Sequence, residues 1–186
     1  MDAGARLTPG ERKLAATVRG KTMSSWLASR VVIKELAARK QPGILPASIE
    51  TCRKVDGPPC CLFPDGRSIP VSVAHDDYYV IAAFSRAGTL VGVDLEPVSD
   101  RVCRVISRFF GGLGEVEPLL ATRLWTGCEA VAKCSRTPLL RVLRTARFAV
   151  GGPESLTIEL PGLPPYLVKQ ILFENRVLSA TSSTIT

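Results

Sequence analysis

The chain of 186 residues has no uninterrupted apolar run near the ~18–20 residues that a membrane span requires. Nor does its N-terminal stretch, MDAGARLTPGERK, carry an apolar signal core. No membrane partner and a cytoplasmic location are therefore expected. No C-x-x-C spacing occurs among the six cysteines, at 52, 60, 61, 103, 128 and 134. That argues against both a zinc site and a disulfide framework and points to reduced, mostly buried thiols. A long basic cluster interleaved with aromatics is also missing, as is any standard nucleic-acid motif, so no nucleic-acid partner is expected. Histidine is nearly absent, His75 being the only one.

What is present describes an ordinary globule. A hydrophobic share of 46% with 22% charged residues is typical, and the length suffices to bury a core in one large domain or two small halves. A net charge of +7 and a pI of 9.3 favour an anionic partner such as a phosphorylated cofactor or an acidic protein.

Along the chain, Thr8-Pro9 reads as an N-cap followed by a proline at the first helical position, opening a short helix from Glu11 to about Val18. Met23–Arg39 has helical spacing in Trp26, Leu27, Val31, Leu36 and Ala37 and stops before Gln41-Pro42-Gly43. Residues 41–69 are rich in turn formers and read as loop, with extended pieces near Ile49–Val55 and Cys61–Phe63. Pro70–Pro97 reads as a small antiparallel unit built from Val71–Ala74, Tyr78–Phe84 and Leu90–Glu96, with a glycine turn at Arg86–Thr89. Asp100–Phe110 suits a helix closed by Gly111-Gly112, and Glu115–Lys133 is helical with a break near Pro118. Arg147–Val150, Leu156–Leu160, Leu167–Glu174 and Val177–Ala180 are strand candidates for a second meander, and the tail from Thr181 reads as frayed. Trp26-x3-Arg30-x3-Lys34 and Trp125-x3-Glu129-x3-Lys133 share one frame, which suggests a helix-then-sheet unit used twice. The halves would be residues 1–97 and 98–186.

Two short patterns carry chemistry. In a strand, Asp94 and Glu96 point to one face, and Val93 and Leu95 to the core. Adjacent carboxylates repel unless a cation sits between them or one is protonated. Oxygen-only ligands of this kind suit Mg²⁺, although for an isolated D-x-E a solvated strand end before Pro97 is the commoner explanation. Glu129 and Lys133 are i,i+4 neighbours on one helical face, where a bland surface ion pair is the alternative.

Taken together, S-V-A-H ending at His75, G-V-D-L-E at 92–96 and L-W-T-x-x-E-A-x-x-K at 124–133 resemble the 4′-phosphopantetheinyl transferase family. The nearest likeness is to its single-chain, surfactin-type branch. The resemblance implies an α+β fold of two similar helix-plus-antiparallel-sheet halves related by a pseudo-twofold, with the active site in the cleft between them and a monomeric state. It implies Mg²⁺-dependent transfer of the 4′-phosphopantetheine arm of coenzyme A, the co-substrate, to a serine of an acyl or peptidyl carrier protein, releasing 3′,5′-adenosine diphosphate. On it, Asp94, Glu96 and Glu129 would hold the metal, and Glu129 would be a ligand or the base. Lys133 and His75 would act on the cofactor phosphates. Arg12 and Lys13, or Lys21, Arg30 and Lys34, would hold the 3′-phosphate.

The chain departs from the family pattern at Ala74 (usually serine), Cys128 (usually lysine) and Pro58 (usually a nucleotide-side lysine), and in the Cys-Ser-Arg-Thr-Pro-Leu that follows Lys133. Arg136 is a candidate to replace the absent cation. Two other functions remain in view: a relative that binds coenzyme A or a carrier protein without transfer, and an unrelated metal-dependent phosphohydrolase.

Overall fold

The computed structural model describes residues 4–53, 58–85, 89–110 and 116–184, without the side chains of Lys21, Thr22 and Arg53. The expected glycine turn before Thr89, Gly57, the Gly111-Gly112 stop and Glu115 lie outside these residues. The protein is α+β, with five α-helices and two antiparallel sheets among the described residues. Its chain divides into two compact units, Met1–Ser85 and Arg86–Thr186, so the boundary expected after Pro97 falls inside the second.

The first unit contains α1 (Pro9–Ala15), α2 (Lys21–Lys40) and a sheet of β1 (Glu50–Arg53), β2 (Pro59–Leu62), β3 (Ser68–His75) and β4 (Val80–Phe84), in that order. Thr8 starts α1 as a capping box: the Glu11 amide donates to Thr8 Oγ1 at 3.2 Å and the Thr8 amide to Glu11 Oε2 at 2.9 Å. Ile33 and Ala37 of α2 pack on Ile49, Cys61, Phe63 and Val71. Glu11 then joins three elements. Lys34 of α2 donates to its Oε2, and the Thr51 amide and hydroxyl of β1 donate to Oε1 at 3.1 and 2.6 Å. Lys34 also reaches the Arg6 carbonyl at 2.9 Å. A buried ion pair is tolerable only when its remaining hydrogen-bonding capacity is used. Burial pushes the Glu11 carboxyl up, and the bonds from Lys34, Thr51 and Thr8 outweigh it, leaving it below its ordinary value.

The second unit contains β5 (Thr89–Pro97), α3 (Asp100–Phe109), α4 (Pro118–Ser135), α5 (Leu139–Thr145), β6 (Arg147–Val150), β7 (Ser155–Glu159), β8 (Tyr166–Phe173) and β9 (Arg176–Thr184). Its sheet runs β5-β9-β8-β7-β6. Leu124, Cys128 and Val131 of α4 pack with Val102 and Ile106 of α3 and with Leu156, Ile158, Tyr166 and Val168 of the sheet. Pro118 opens α4 instead of breaking it, since proline at a first helical position removes only an amide that has no partner there anyway. The β8–β9 hairpin turns on Glu174 and Asn175, both at positive φ (45° and 58°), as a two-residue turn matched to the strand twist requires.

Two expectations are corrected here, and one element is new. Leu90–Glu96 does not form a sheet with β3 and β4: β5 pairs along its whole length with β9. The tail is not frayed after Thr181, because residues 181–184 pair with 92–89 and Thr181 is buried. The helix α5 was not anticipated at all; it places Val142 and Leu143 in the core.

Candidate active site

The packing of α4 on β5 builds the site. Gly92 makes it close: a Cβ there would stand 1.8 Å from the Ala130 carbonyl oxygen, so no other residue type fits. Alternation along the strand then puts Asp94 and Glu96 on the side of Gly92, facing α4. The two acids share one face, as strand alternation predicts, and that face is covered by the helix. Val93 and Leu95 lie on the other face, where they too are buried, at 3% and 2% exposure.

One turn of α4 brings Glu129 and Lys133 over the strand. The Lys133 ammonium donates to Asp94 Oδ1 at 2.7 Å and to the Val93 carbonyl at 3.1 Å, and it lies 3.8 Å from Glu129 Oε2. Asp94 is buried, whereas Glu129 and Glu96 are partly so. Burial first, then the charge of Asp94, raises the Glu129 carboxyl above its ordinary value; Lys133 pulls it back, and Glu96 pushes it up again. Glu96 is raised by the same two causes in the same order, offset by a hydrogen bond from Trp125 and by the charges of Arg101 and Lys133. The three acids therefore feel one another, and the ammonium of Lys133 is the cation set among them.

An oxygen-only trio whose like charges work against ionisation is the donor chemistry that a hard divalent cation answers. Among the described residues, no group of three or more His, Cys, Asp or Glu side chains stands ready to hold a metal as it is. Lys133 supplies the positive charge beside Asp94, bonded to its Oδ1.

A polar network fixes the rotation of α4. Arg123 Nε donates to Gln170 Oε1 at 2.8 Å, and Gln170 Nε2 donates to Ser179 Oγ and to the Arg123 carbonyl, both at 2.8 Å. Thr126 and Ser179 share a hydroxyl–hydroxyl bond of 2.7 Å. Ser179 is the cross-strand partner of Asp94, so this network anchors the helix beside the acids. Sequence reading missed Ser179, Gln170, Arg123 and Arg101. Only Trp125 and Thr126, inside the L-W-T pattern, carried a local signal.

The remaining predicted residues belong to the first unit. His75 is the exposed last residue of β3, opposite Val80. Arg12 donates through Nη1 to the Leu7 carbonyl at 2.6 Å, and Lys13 is exposed. Lys34 is not a solvated phosphate ligand: it is fully buried against Glu11. Arg30 stacks on Trp26 at 3.5 Å and lies 4.0 Å from Glu11 Oε1. The Lys21 side chain is outside the described residues.

Two of the positions where the chain differs from the pattern it resembles, Cys128 and Ala74, are buried. Cys128 is fully buried in the α4 core, and burial pushes its thiol up to about 12; a lysine there would carry its charge into apolar packing. Ala74 is likewise buried, where a hydroxyl would need a partner. Arg136, the C-cap of α4 with φ 57°, is exposed.

No known family model matches the chain, and no curated protein matches its sequence.

Proposed function

We propose that the protein transfers the 4′-phosphopantetheine arm of coenzyme A to a serine of an acyl or peptidyl carrier protein. The observation that carries this reading is the meeting of Asp94, Glu96, Glu129 and Lys133 where α4 crosses β5. Joined to His75 and the sequence resemblance, it favours transfer over simple hydrolysis. The reaction is attack of the serine oxygen on the phosphorus of the diphosphate that bears the pantetheine arm, with 3′,5′-adenosine diphosphate as leaving group. It needs charge neutralisation, alignment and a proton acceptor.

Asp94, Glu96 and Glu129 would hold Mg²⁺, which when bound would neutralise and align the diphosphate oxygens. Lys133, released from Asp94, would turn its ammonium to the bridging oxygen, which leaves on the 5′-phosphate of 3′,5′-adenosine diphosphate as its bond to the attacked phosphorus breaks. Glu129 would accept the serine proton at a carboxylate oxygen or remain a ligand only. Burial of Asp94 and the Trp125 bond to Glu96 would keep the acids oriented and partly dry. From the first unit, His75, Arg12 and Lys13 would contact the cofactor phosphates. The finer architecture, a pseudo-twofold between the units with a cleft site and a monomeric state, is part of the same proposal.

Incubation with coenzyme A, Mg²⁺ and an apo carrier protein should add one phosphopantetheine to the carrier by mass spectrometry, and Asp94→Ala should abolish the gain while leaving the circular dichroism unchanged. Turnover in Asp94→Ala would overturn the assignment. Bound coenzyme A without product would mark a binding module, and phosphate release without carrier a hydrolase.

A further inference from the structure

The first unit holds a pair of thiols that the site above does not use. Cys52 on β1 and Cys60 on β2 are direct cross-strand partners in antiparallel register, and their Sγ atoms lie 2.6 Å apart. Opposed residues on such a pair hold their Cβ atoms about 4.5–5.5 Å apart, close to the roughly 3.5–4.5 Å that a disulfide spans. The hairpin therefore presents the two sulfurs to each other with little left to adjust.

The adjacent Cys61 does not compete. Strand alternation turns it to the opposite face, where it is fully buried among Ile33, Ile49, Phe63 and Val71. Burial and the neighbouring thiols push it up to about 12, so it stays a protonated, inert thiol. Cys52 is only partly buried and Cys60 is buried, which makes Cys52 the sulfur that a small reagent meets first.

We propose that Cys52 and Cys60 form a reversible disulfide that staples β1 to β2, with a low-molecular-weight disulfide such as oxidised glutathione as the oxidant. The Cys52 thiolate attacks one sulfur of the reagent, giving a mixed disulfide on Cys52 and releasing one glutathione thiolate. The Cys60 thiolate then attacks the Cys52 sulfur, forming the Cys52–Cys60 bond and releasing the second glutathione. The two protons lost by the protein thiols go to the two glutathione thiolates, and two electrons pass from protein to reagent. The closed loop restricts the unfolded chain and so stabilises the first unit against its reduced form. None of the acids of the second unit takes part.

The test equilibrates the full-length protein across glutathione buffers of rising oxidised fraction, quenches it under denaturing conditions with N-ethylmaleimide, and maps tryptic peptides by mass spectrometry. Cleavage at Arg53 and Lys54 separates Cys52 from the peptide that carries Cys60 and Cys61. The expected result is a linked peptide pair with the bond at Cys60 and the alkyl group on Cys61, appearing as the oxidised fraction rises and lost with dithiothreitol. Cys61→Ser should keep the link, and Cys60→Ser should leave glutathione on Cys52. A link at Cys61, a lasting glutathione adduct on wild-type Cys52, or full alkylation of Cys52 and Cys60 at every ratio would overturn the proposal. The wild-type map decides even if a variant does not fold.

Discussion

Replacing Gly92 by alanine tests how closely α4 is seated on β5. The added methyl would stand 1.8 Å from the Ala130 carbonyl oxygen, 2.8 Å from its carbon and 2.9 Å from the Cys134 amide nitrogen. All three are backbone atoms, which cannot rotate aside. Carbon and oxygen in favourable contact lie about 3.3–3.6 Å apart, so helix and strand must separate by roughly 1.5 Å. Overpacking a core costs about 1–3 kcal/mol, occasionally more, and a backbone clash belongs at or above the top of that range. Gly127→Ala is the control. Its methyl meets only side-chain tips, Leu156 Cδ2 at 2.7 Å and Ile158 Cδ1 at 3.2 Å, and alanine is favoured over glycine in a helix by up to about 1 kcal/mol. Its net cost should stay below about 1 kcal/mol. In a Trp26→Phe background, Trp125 becomes the sole tryptophan and reports urea unfolding of the second unit. With a slope of about 1–3 kcal/mol/M, Gly92→Ala should lower the midpoint by roughly 1 M or more. A Gly92→Ala midpoint close to that of the parent, or a Gly127→Ala loss of equal size, would refute the reasoning.

Other outcomes follow from the same packing. Lys133→Met removes the ammonium bonded to Asp94 and should cost the second unit about 1–3 kcal/mol, part of which Mg²⁺ restores; urea midpoints with and without the metal check this, and an unchanged midpoint contradicts it. Cys128→Lys supplies the lysine of the family pattern at a fully buried position and should destabilise by about 3 kcal/mol or more, read by the Trp125 transition. The two units should answer pH in opposite senses. Glu11 lies below its ordinary value of 4.5, so its contribution is present above that pH and is lost as pH falls through the folded value. Glu129 lies above 4.5, so its contribution is full below that pH and is lost as pH rises through the folded value. Glu11→Gln should flatten the acid limb of the stability profile and Glu129→Gln the opposite limb, each measured by urea titration of the metal-free protein.

Local pattern was enough for the elements and not for their partners. The spacing of Trp26 to Ala37 and of Leu124 to Cys134 marks α2 and α4, and β5 reads from its apolar run and Asp-x-Glu. That β5 joins β9 depends on pairing residue 92 with residue 181, a contact between distant segments that neither segment announces alone. The same pairing turns a Ser/Thr-rich tail into strand. Helix α5 packs its apolar positions 139, 142 and 143 inward and leaves Leu140 exposed, yet it spans only seven residues and its N-cap is Pro138, without a side-chain cap bond. Lys34 resembles any helix-surface lysine until Glu11 and Thr51 arrive from elsewhere in the chain. In the candidate site, the acids and Lys133 were legible from type and spacing, whereas Arg101, Gln170 and Ser179 act through register and tertiary packing.

The two sides of α4 do different jobs. Leu124, Cys128 and Val131 build the hydrophobic interior of the second unit, and Glu129 and Lys133 look toward the acids of β5. A single rod thus serves as both keel and working arm. Substitutions that alter the charged face without loss of folding are confined to the tips of its side chains, because any tilt of its axis is felt at once in the interior that keeps the unit folded.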